Sequence, residues 1–403
     1  MRTAKLKDIT LTITDGKHGD CKNHDGSGYY FISCKDVYDE TIHYENARQI
    51  TEDDFRDADR RTNLAAYDIL ITNSGTIGRM ALVKDIPETR KTTFQKSVAI
   101  VRADTSQVVP NYLYYLLKSK VHDFINSSNG SAQKNLLLST MRDFDISFVD
   151  SFETQHRIAT ILSRYDSLIE NYQKQIKLLE EAAQRLYKEW FVDLHFPGHE
   201  NTKIVDGVPE GWEKKPALDF FEMSIGKTPP RAQKQWFTKG SNGIPWVSIS
   251  DMKDTMFVQE TAEELTQDAC ENYNIKVVPK GTILLSFKLT VGRVAFAGAD
   301  VCTNEAIAHF QKEGDEWKAY TLMYLRNYNY DSLGNTSGIS KAVNSTIIKN
   351  MPFVMPCTAI LQEFSQRVLP FIKQTENLQS QIRLLTEARD RLLLKLMSGV
   401  IEV

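Results

Sequence analysis

The chain has 403 residues, 41% hydrophobic and 25% charged, which excludes a disordered or fibrous polymer and allows two or more ordinary cores. A net charge of -3 is uninformative alone and counts mildly against coating of a polyanion by bulk positive charge, so any nucleic-acid contact has to be local and patterned. Five cysteines, scattered and never spaced Cys-x-x-Cys, suit reduced thiols better than a disulfide framework or a zinc knuckle.

The opening MRTAKLKDITLTITDGKHGD has no apolar signal region, and no later run approaches 18 uncharged apolar residues, so a cytoplasmic protein without a membrane span is expected. HGDCKNHD, residues 18 to 25, crowds His18, Asp20, Cys21, His24 and Asp25. Its spacing matches no zinc pattern, and a turn-rich polar loop is the better reading. YDILITNSGTIGRMAL (67 to 82) reads as two short strands around a polar turn that ends in glycine. Between 71 and 102, six basic residues (Arg79, Lys84, Arg90, Lys91, Lys96 and Arg102) stand against two acids. Residues 36 to 59 reverse this, with nine acids against two bases, and are expected to face away from phosphate. These segments belong to a first globular domain, residues 1 to 151.

Residues 152 to 193 read as one long helix. Apolar residues recur in alternating steps of four and three: Ile158, Leu162, Tyr165, Ile169, Tyr172, Ile176, Leu179, Ala183, Leu186 and Trp190. A strict alternation over ten positions is a heptad seam. A Pro-, Gly- and charge-rich linker follows at 194 to 211, then a second globule at 212 to 357 and a second long helix at 358 to 403. The second helix repeats the first at an offset of 206: QIKLLEEAAQRL (175 to 186) becomes QIRLLTEARDRL (381 to 392). Its seam runs through Phe364, Val368, Phe371, Leu378, Ile382, Leu385, Leu392 and Leu396, interrupted at Thr375 and Arg389. Each helix would span roughly 50 Å at ~1.5 Å per residue.

The globules repeat as well. YDILITNSGTIGRMAL aligns with KGTILLSFKLTVGRVAF (280 to 296), pairing Ile69 with Ile283, Thr76 with Thr290, Gly78 with Gly292 and Arg79 with Arg293. YFISCKD (30 to 36) answers WVSISD (246 to 251), NYLYYLLKS (111 to 119) answers AYTLMYLRN (319 to 327), and RDFDISFV (142 to 149) answers KNMPFVMP (349 to 356). The loops differ: KTTFQKS (91 to 97) finds no counterpart, and GKTPPRAQKQW (226 to 236) only faintly echoes DGKHGDCKNH. The expected fold class is therefore α+β, with two mixed α/β domains in tandem and two long helices. Two apolar seams in one soluble chain are best buried on each other, since one exposed alone invites aggregation. The short linker makes that pair antiparallel, a coiled coil with one globule at each end and a pseudo-twofold internal repeat. Such a rod suits the reading of two sites a fixed distance apart on a symmetric object, and DNA is such an object.

The combination of the heptad helix after FETQHRIATIL (152 to 162), the ending LYKEWFVD (186 to 193), the phrase VPEGWEKKPALDFF (208 to 221) and the run GSAQKNLLLSTMRDF (130 to 144) resembles the specificity subunit of type I restriction-modification enzymes. The resemblance covers essentially the whole chain. It implies two target-recognition domains, no chemistry in this chain, and docking of two methyltransferase subunits and of restriction/translocase subunits on double-stranded DNA. S-adenosylmethionine, ATP and Mg would then belong to partner subunits, with no cofactor or metal here.

Catalytic motifs are absent: there is no G-x-x-x-x-G-K-[ST], G-x-G-x-x-G, H-E-x-x-H or G-x-S-x-G. Glu213, Lys214 and Lys215 match the E-x-K letters of a nuclease site without an upstream acidic partner. If DNA is the ligand, contacts should come from basic and amide side chains on loops, because Lys and Arg hold phosphate or guanine edges and Asn and Gln pair with adenine. The candidates are Lys17, His18, Asn73, Arg79, Thr92, Gln95, Lys96, Gln133, Lys134 and Asn135 in the first domain. In the second they are Lys227, Arg231, Lys234, Lys288, Thr290, Arg293 and Lys341. For each, a solvated surface side chain is the plain alternative, and Arg79 and Arg293 have a structural reading as turn residues. A protein-interaction scaffold, two globules on a rod that never touch DNA, is the rival reading of the whole chain.

Overall fold

The structure, a computed structural model, describes residues 1–128, 135–240, 243–253, 255–333 and 343–403. By contact the chain forms two compact units, Met1–Leu168 with Leu385–Val403, and Ile169–Leu384.

In the first unit an antiparallel sheet runs Thr10–Asp15, Val98–Ala103, Ile69–Thr72, Met80–Leu82. Every residue of Ile69–Thr72 is buried, so neither face meets water and the strand reads as a continuous apolar run instead of an alternating one. The same order recurs in the second unit as Glu222–Ile225, Ile307–Gln311, Ile283–Ser286, Val294–Ala297, with Phe257–Val258 added in parallel at the edge. Flanking this sheet, the first and last strands of each globule pair with each other: Arg2–Lys5 with Asp145–Phe148, and Glu213–Pro216 with Pro352–Met355. Glu213 and Lys215 are exposed on that last pair and bond to each other at 2.7 Å.

The repeat holds down to single hydrogen bonds. In each polar turn the glycine amide donates to the strand that precedes it, Gly78 to the Thr72 carbonyl and Gly292 to the Ser286 carbonyl, both at 2.9 Å. The next amides, of Arg79 and Arg293, donate to the Thr72 and Ser286 hydroxyls at 2.9 and 3.0 Å. Asp36 accepts from the Ser33 amide and hydroxyl, and Asp251 does the same for Ser248. A parallel pairing also recurs, Tyr30–Ile32 beside Thr92–Phe94 and Ile244–Val247 beside Cys302–Thr303. KTTFQKS therefore does have a counterpart, DVCTNEA at 300 to 306, invisible to letter matching because the two segments share no residue in this register.

The long helices are Phe152–Tyr187 and Thr358–Met397. In the first unit Ile158, Ala159 and Leu162 share a core with Leu393, Leu396 and Met397. In the second, Ala183, Tyr187 and Trp190 share a core with Ile360, Phe364, Val368 and Ile372. Of the seam positions, Ile158, Leu162, Ile169, Val368 and Leu378 are buried, while Ile176, Leu179, Leu186, Ile382, Leu385 and Leu392 are half-buried. Burial of Ile372, Leu393 and Met397 makes the stripe wider than a two-position seam, because these helices also cover the globules' cores. Pro370 lies inside the second helix at an exposed position, and burial of Val368 and Ile372 on either side holds the helix across the missing amide.

Arg389, expected to interrupt the seam, is buried and carries an ionic cluster instead. Its guanidinium donates to Glu40 at 2.8 Å and to Asp166 at 2.6 Å, and reaches Asp390 at 2.9 Å. Lys118 meets Glu40 at 2.6 Å, and the Tyr115 hydroxyl bonds Asp166. Thus the end of the second long helix, the start of the first, and the loop at residue 40 are held in one unit by matched charges. Burial alone would lower the basicity of Arg389, but Glu40, Asp166 and Asp390 outweigh it and raise it.

Two predictions follow from this packing. Replacing Arg389 with Ala leaves Glu40 and Asp166 without their main partner and should lower stability by roughly 3–5 kcal/mol, with Arg389→Lys costing less. Thermal and denaturant melts read this, and a loss within about 0.5 kcal/mol would show that the cluster holds nothing together. The second concerns His309, which is buried on the internal strand Ile307–Gln311 of the second unit with Nδ1 2.8 Å from the Ser224 hydroxyl and Nε2 2.7 Å from the Thr303 hydroxyl. Burial, helped by the Lys276 charge, depresses its pKa to about 4. The unfolded chain then binds the proton more readily, so stability is full above about pH 6.5 and drains as pH falls toward 4, by on the order of 3 kcal/mol. A His309→Gln variant should lack that component, and superimposable stability–pH curves for the two proteins would refute it.

Candidate nucleic-acid interface

Strand Thr10–Asp15 ends at Gly16, whose amide donates to the Val98 carbonyl at 3.2 Å, and the Lys17 amide donates to the Phe94 carbonyl at 2.8 Å. A Cβ on Gly16 would stand 1.9 Å from that Phe94 oxygen, so glycine is required by close approach of backbone to backbone. Residues 94 to 98 act as a hub for other loops. The Gln95 amide donates to Ile32 at 2.9 Å, the Lys96 amide to Lys17 at 3.2 Å, and the Asn73 amide to Ser97 at 3.1 Å. The Cys34 amide donates to the Ser97 hydroxyl at 3.2 Å, and Ser74 bridges to Asn135. Four loops distant in sequence therefore meet at one end of the sheet.

The second unit builds the same hub. Gly226 donates to Ile307 at 3.2 Å, Lys227 to Thr303 at 2.9 Å, Asn304 to Val247 at 3.0 Å and Phe287 to Ala306 at 2.9 Å. A Cβ on Gly226 would lie 2.0 Å from the Thr303 hydroxyl and 2.3 Å from backbone oxygens. By these bonds Lys227 occupies the place of Lys17, Asn304 that of Gln95, Glu305 that of Lys96, and Lys288 that of Ser74. The echo between the two Gly-Lys pairs is thus a shared backbone function.

The candidates divide on this frame. Gln95 and Asn135 are half-buried at the hub, while Lys96, Lys227, Lys234, Lys288 and Thr290 are exposed. Lys17 is committed to Asp57 at 3.0 Å and lies 4.0 Å from Asp54. The hydrogen bond to Asp57 raises its pKa against partial desolvation and lowers that of Asp57 in turn. Those acids belong to helix Glu52–Thr62, so the acidic stretch does not face away from the candidates but packs against one of them. His18 bonds Asp15 at 2.8 Å. Arg231 is held by both Glu263 oxygens at 2.8 and 2.7 Å and stacks on Phe237 and Trp246, 4.4 and 4.5 Å from their ring centres. Arg293 is half-buried with its guanidinium on the Ile249 carbonyl at 2.7 Å, and Arg79, though exposed, reaches the Cys34 carbonyl at 3.4 Å. Both fasten a turn to a neighbouring loop, in keeping with their structural reading.

Two expected contacts are corrected. Thr92 is buried and donates to the Glu88 carbonyl at 2.7 Å, because it sits in the covered parallel strand pair; Asn73 is likewise buried, and its backbone does the work of joining loops. Gln133, Lys134 and Lys341 lie outside the described residues. Among the described residues no group of three His, Cys, Asp or Glu side chains is placed to hold a metal ion, and no helix is long and apolar enough to cross a membrane. In the HGDCKNHD loop, Asp20 meets Arg48 at 2.6 Å and Cys21 is buried.

Asn304, Glu305 and Leu289 stand at hub positions that basic and amide composition alone does not mark. Leu289 is 98% exposed with φ of 59°, at the place where the first unit has Gly75 with φ of 78°. Glu305 is exposed, and Thr228 donates to its carboxylate. Partial burial pushes that carboxyl up, but the Thr228 hydroxyl, its own amide and the charges of Lys288 and Arg231 outweigh this and hold it below the usual carboxylate range. The repeat itself was the signal that could have found Glu305, had the loop at 300 to 306 been aligned by strand pairing.

Comparison with known proteins places this geometry. Residues 3–181 and 209–386 each match the model of the type I restriction modification DNA specificity domain. The chain is 30% identical over 398 residues to the type I restriction enzyme MjaIX specificity subunit of Methanocaldococcus jannaschii, covering 95% of this chain and 89% of that protein. It is 22% identical to the HindI specificity subunit of Haemophilus influenzae, covering 75% and 80%. The crystal structure of a type I restriction-modification S subunit from M. genitalium shares the fold, with a TM-score of 0.59 at 15% identity over 98% of this chain and 95% of that one.

Proposed function

Since the chain belongs to the type I restriction-modification DNA specificity family, we propose that it selects the DNA target of such a complex by reading two half-sites, one with each loop hub. The observation that carries this reading is the hub built twice on one hydrogen-bond frame with different side chains. A frame that keeps its backbone while changing Lys96 to Glu305, and Gly75 to Leu289, is suited to two different short sequences on one type of ligand. A protein-interaction scaffold has no such need for variable loops on an invariant support.

The two long helices act as an antiparallel coiled coil with a pseudo-twofold relation between the repeats. Support comes from the pairing of cores: the start of the first helix with the end of the second in one unit, the end of the first with the start of the second in the other. The gap between half-sites is then set by the helices and is on the order of one turn of DNA, ~34 Å. Two methyltransferase subunits dock beside the helices, and restriction subunits join them. Leu178 and Leu384, equivalent positions of the two helices, are 64% and 54% exposed and offer apolar contacts for such partners. The chain contributes specificity and no catalysis; S-adenosylmethionine, ATP and Mg are the partners' cofactors, and the complex works in the cytoplasm.

Mixed with the methyltransferase of its own system, the chain should form a particle of two partners to one specificity chain. That particle should methylate two short sequences separated by a nonspecific gap, and its DNA affinity should fall with salt as phosphate contacts release counterions. Mass measurement, methylome sequencing and salt titration read these outcomes. Methylation by the isolated chain, or a contiguous target with no gap, would overturn the reading.

A further inference from the structure

Hydrogen-bond register sets Glu305 of the second unit against Lys96 of the first. Each follows a residue whose amide donates to the parallel strand beside it, Gln95 to Ile32 and Asn304 to Val247. In each unit that residue's carbonyl then accepts from the start of the next strand, at 3.0 Å from Val98 and 3.3 Å from Ile307. Lys96 and Glu305 are both exposed. The frame thus carries an exposed cation in one unit and an exposed anion at the same place in the other.

The anion is a fixed feature. The Thr228 hydroxyl, one residue beyond the clamped Lys227, bonds the Glu305 carboxylate and orients it. Arg231 is held by Glu263 and two aromatic faces, so it and Lys288 act on the carboxylate through their charge. An ionised carboxylate on a DNA-facing loop is repelled by phosphate, and leaving it unpaired in an interface is heavily disfavoured. Of the groups DNA offers, a donor on a base edge is the one that suits it. In the major groove guanine offers N7 and O6 and thymine offers O4, all acceptors that repel it. Adenine sets an acceptor, N7, beside its amino group, which suits an amide side chain better than a carboxylate. Cytosine presents its N4 amino group with no neighbouring acceptor of its own.

We propose that Glu305 is a specificity-determining residue that accepts a hydrogen bond from the N4 amino group of a cytosine in the half-site read by the second unit, where the first unit sets Lys96 toward guanine or phosphate. The inference rests on the reading of this chain as a DNA specificity subunit.

The test uses the complex with its methyltransferase, assayed on duplexes in which each base pair of the second half-site is replaced in turn, with methylome sequencing alongside. Wild type should prefer cytosine at one position by about 10- to 100-fold. Glu305→Gln should relax that position toward adenine and Glu305→Lys should shift it toward guanine, with the first half-site unchanged in both; that unchanged half also certifies the fold. If both variants keep the wild-type motif while affinity for all duplexes rises alike, Glu305 is a phosphate-repelling charge and the proposal is wrong. A wild-type complex with no base preference in either half-site would instead bring down the reading of the chain as a specificity subunit.

Discussion

The contact on which the rest depends is the backbone clamp at Gly16 and Gly226. A side chain at either position would collide with the facing segment at 1.9 or 2.0 Å, so the chain can close its strand onto the hub only with glycine there. Once it closes, mainly main-chain bonds draw the other loops to the same end of the sheet, with the Ser97 hydroxyl adding one from Cys34. Because these bonds use amides and carbonyls, the side chains of the hub are free to differ. In the proposed reading, framework and recognition are thereby separated physically: one rests mainly on backbone, the other on side chains such as those at 95 and 96 or at 304 and 305.

This separation decides what could be read from the sequence. Framework features that depend on side-chain type were legible: the heptad periodicity, the Gly-Arg turns at 78–79 and 292–293, and the Ser-Asp pairs at 33 and 36 and at 248 and 251. Features that depend on hydrogen-bond register were not. KTTFQKS and DVCTNEA share no residue in their common register, so only strand pairing reveals them as one element. Thr92 stands beside basic residues in sequence, yet in the parallel strand pair with Tyr30–Ile32 it is buried. Glu305 carries the opposite charge to Lys96 at the same register, so likeness of side-chain type does not mark it.

The helices show the same limit from another side. Periodicity located them, but a seam drawn at two positions per heptad treated Arg389 as a defect. Its buried guanidinium is matched by Glu40 and Asp166, which lie 349 and 223 residues away in sequence. No helical pattern contains that information, since the partners come from a loop and from the other helix. Buried ion pairs of this kind add little net stability over an apolar substitute, but they fix which surfaces meet, because a mismatched register strands a charge. In a chain with two nearly repeated helices, a charge cluster that occurs at one end distinguishes that end from the other.

The central claim is that two equivalent frames read DNA independently through interchangeable loops. Its most direct test is a chain in which residues 1 to 151 also replace residues 212 to 357, combined with its methyltransferase and analysed by methylome sequencing. Under the proposed pseudo-twofold relation of the repeats, the target should consist of two copies of one half-site, arranged as an inverted repeat about the gap. A methylated target whose halves still differ, or one repeated in the same direction, would contradict it.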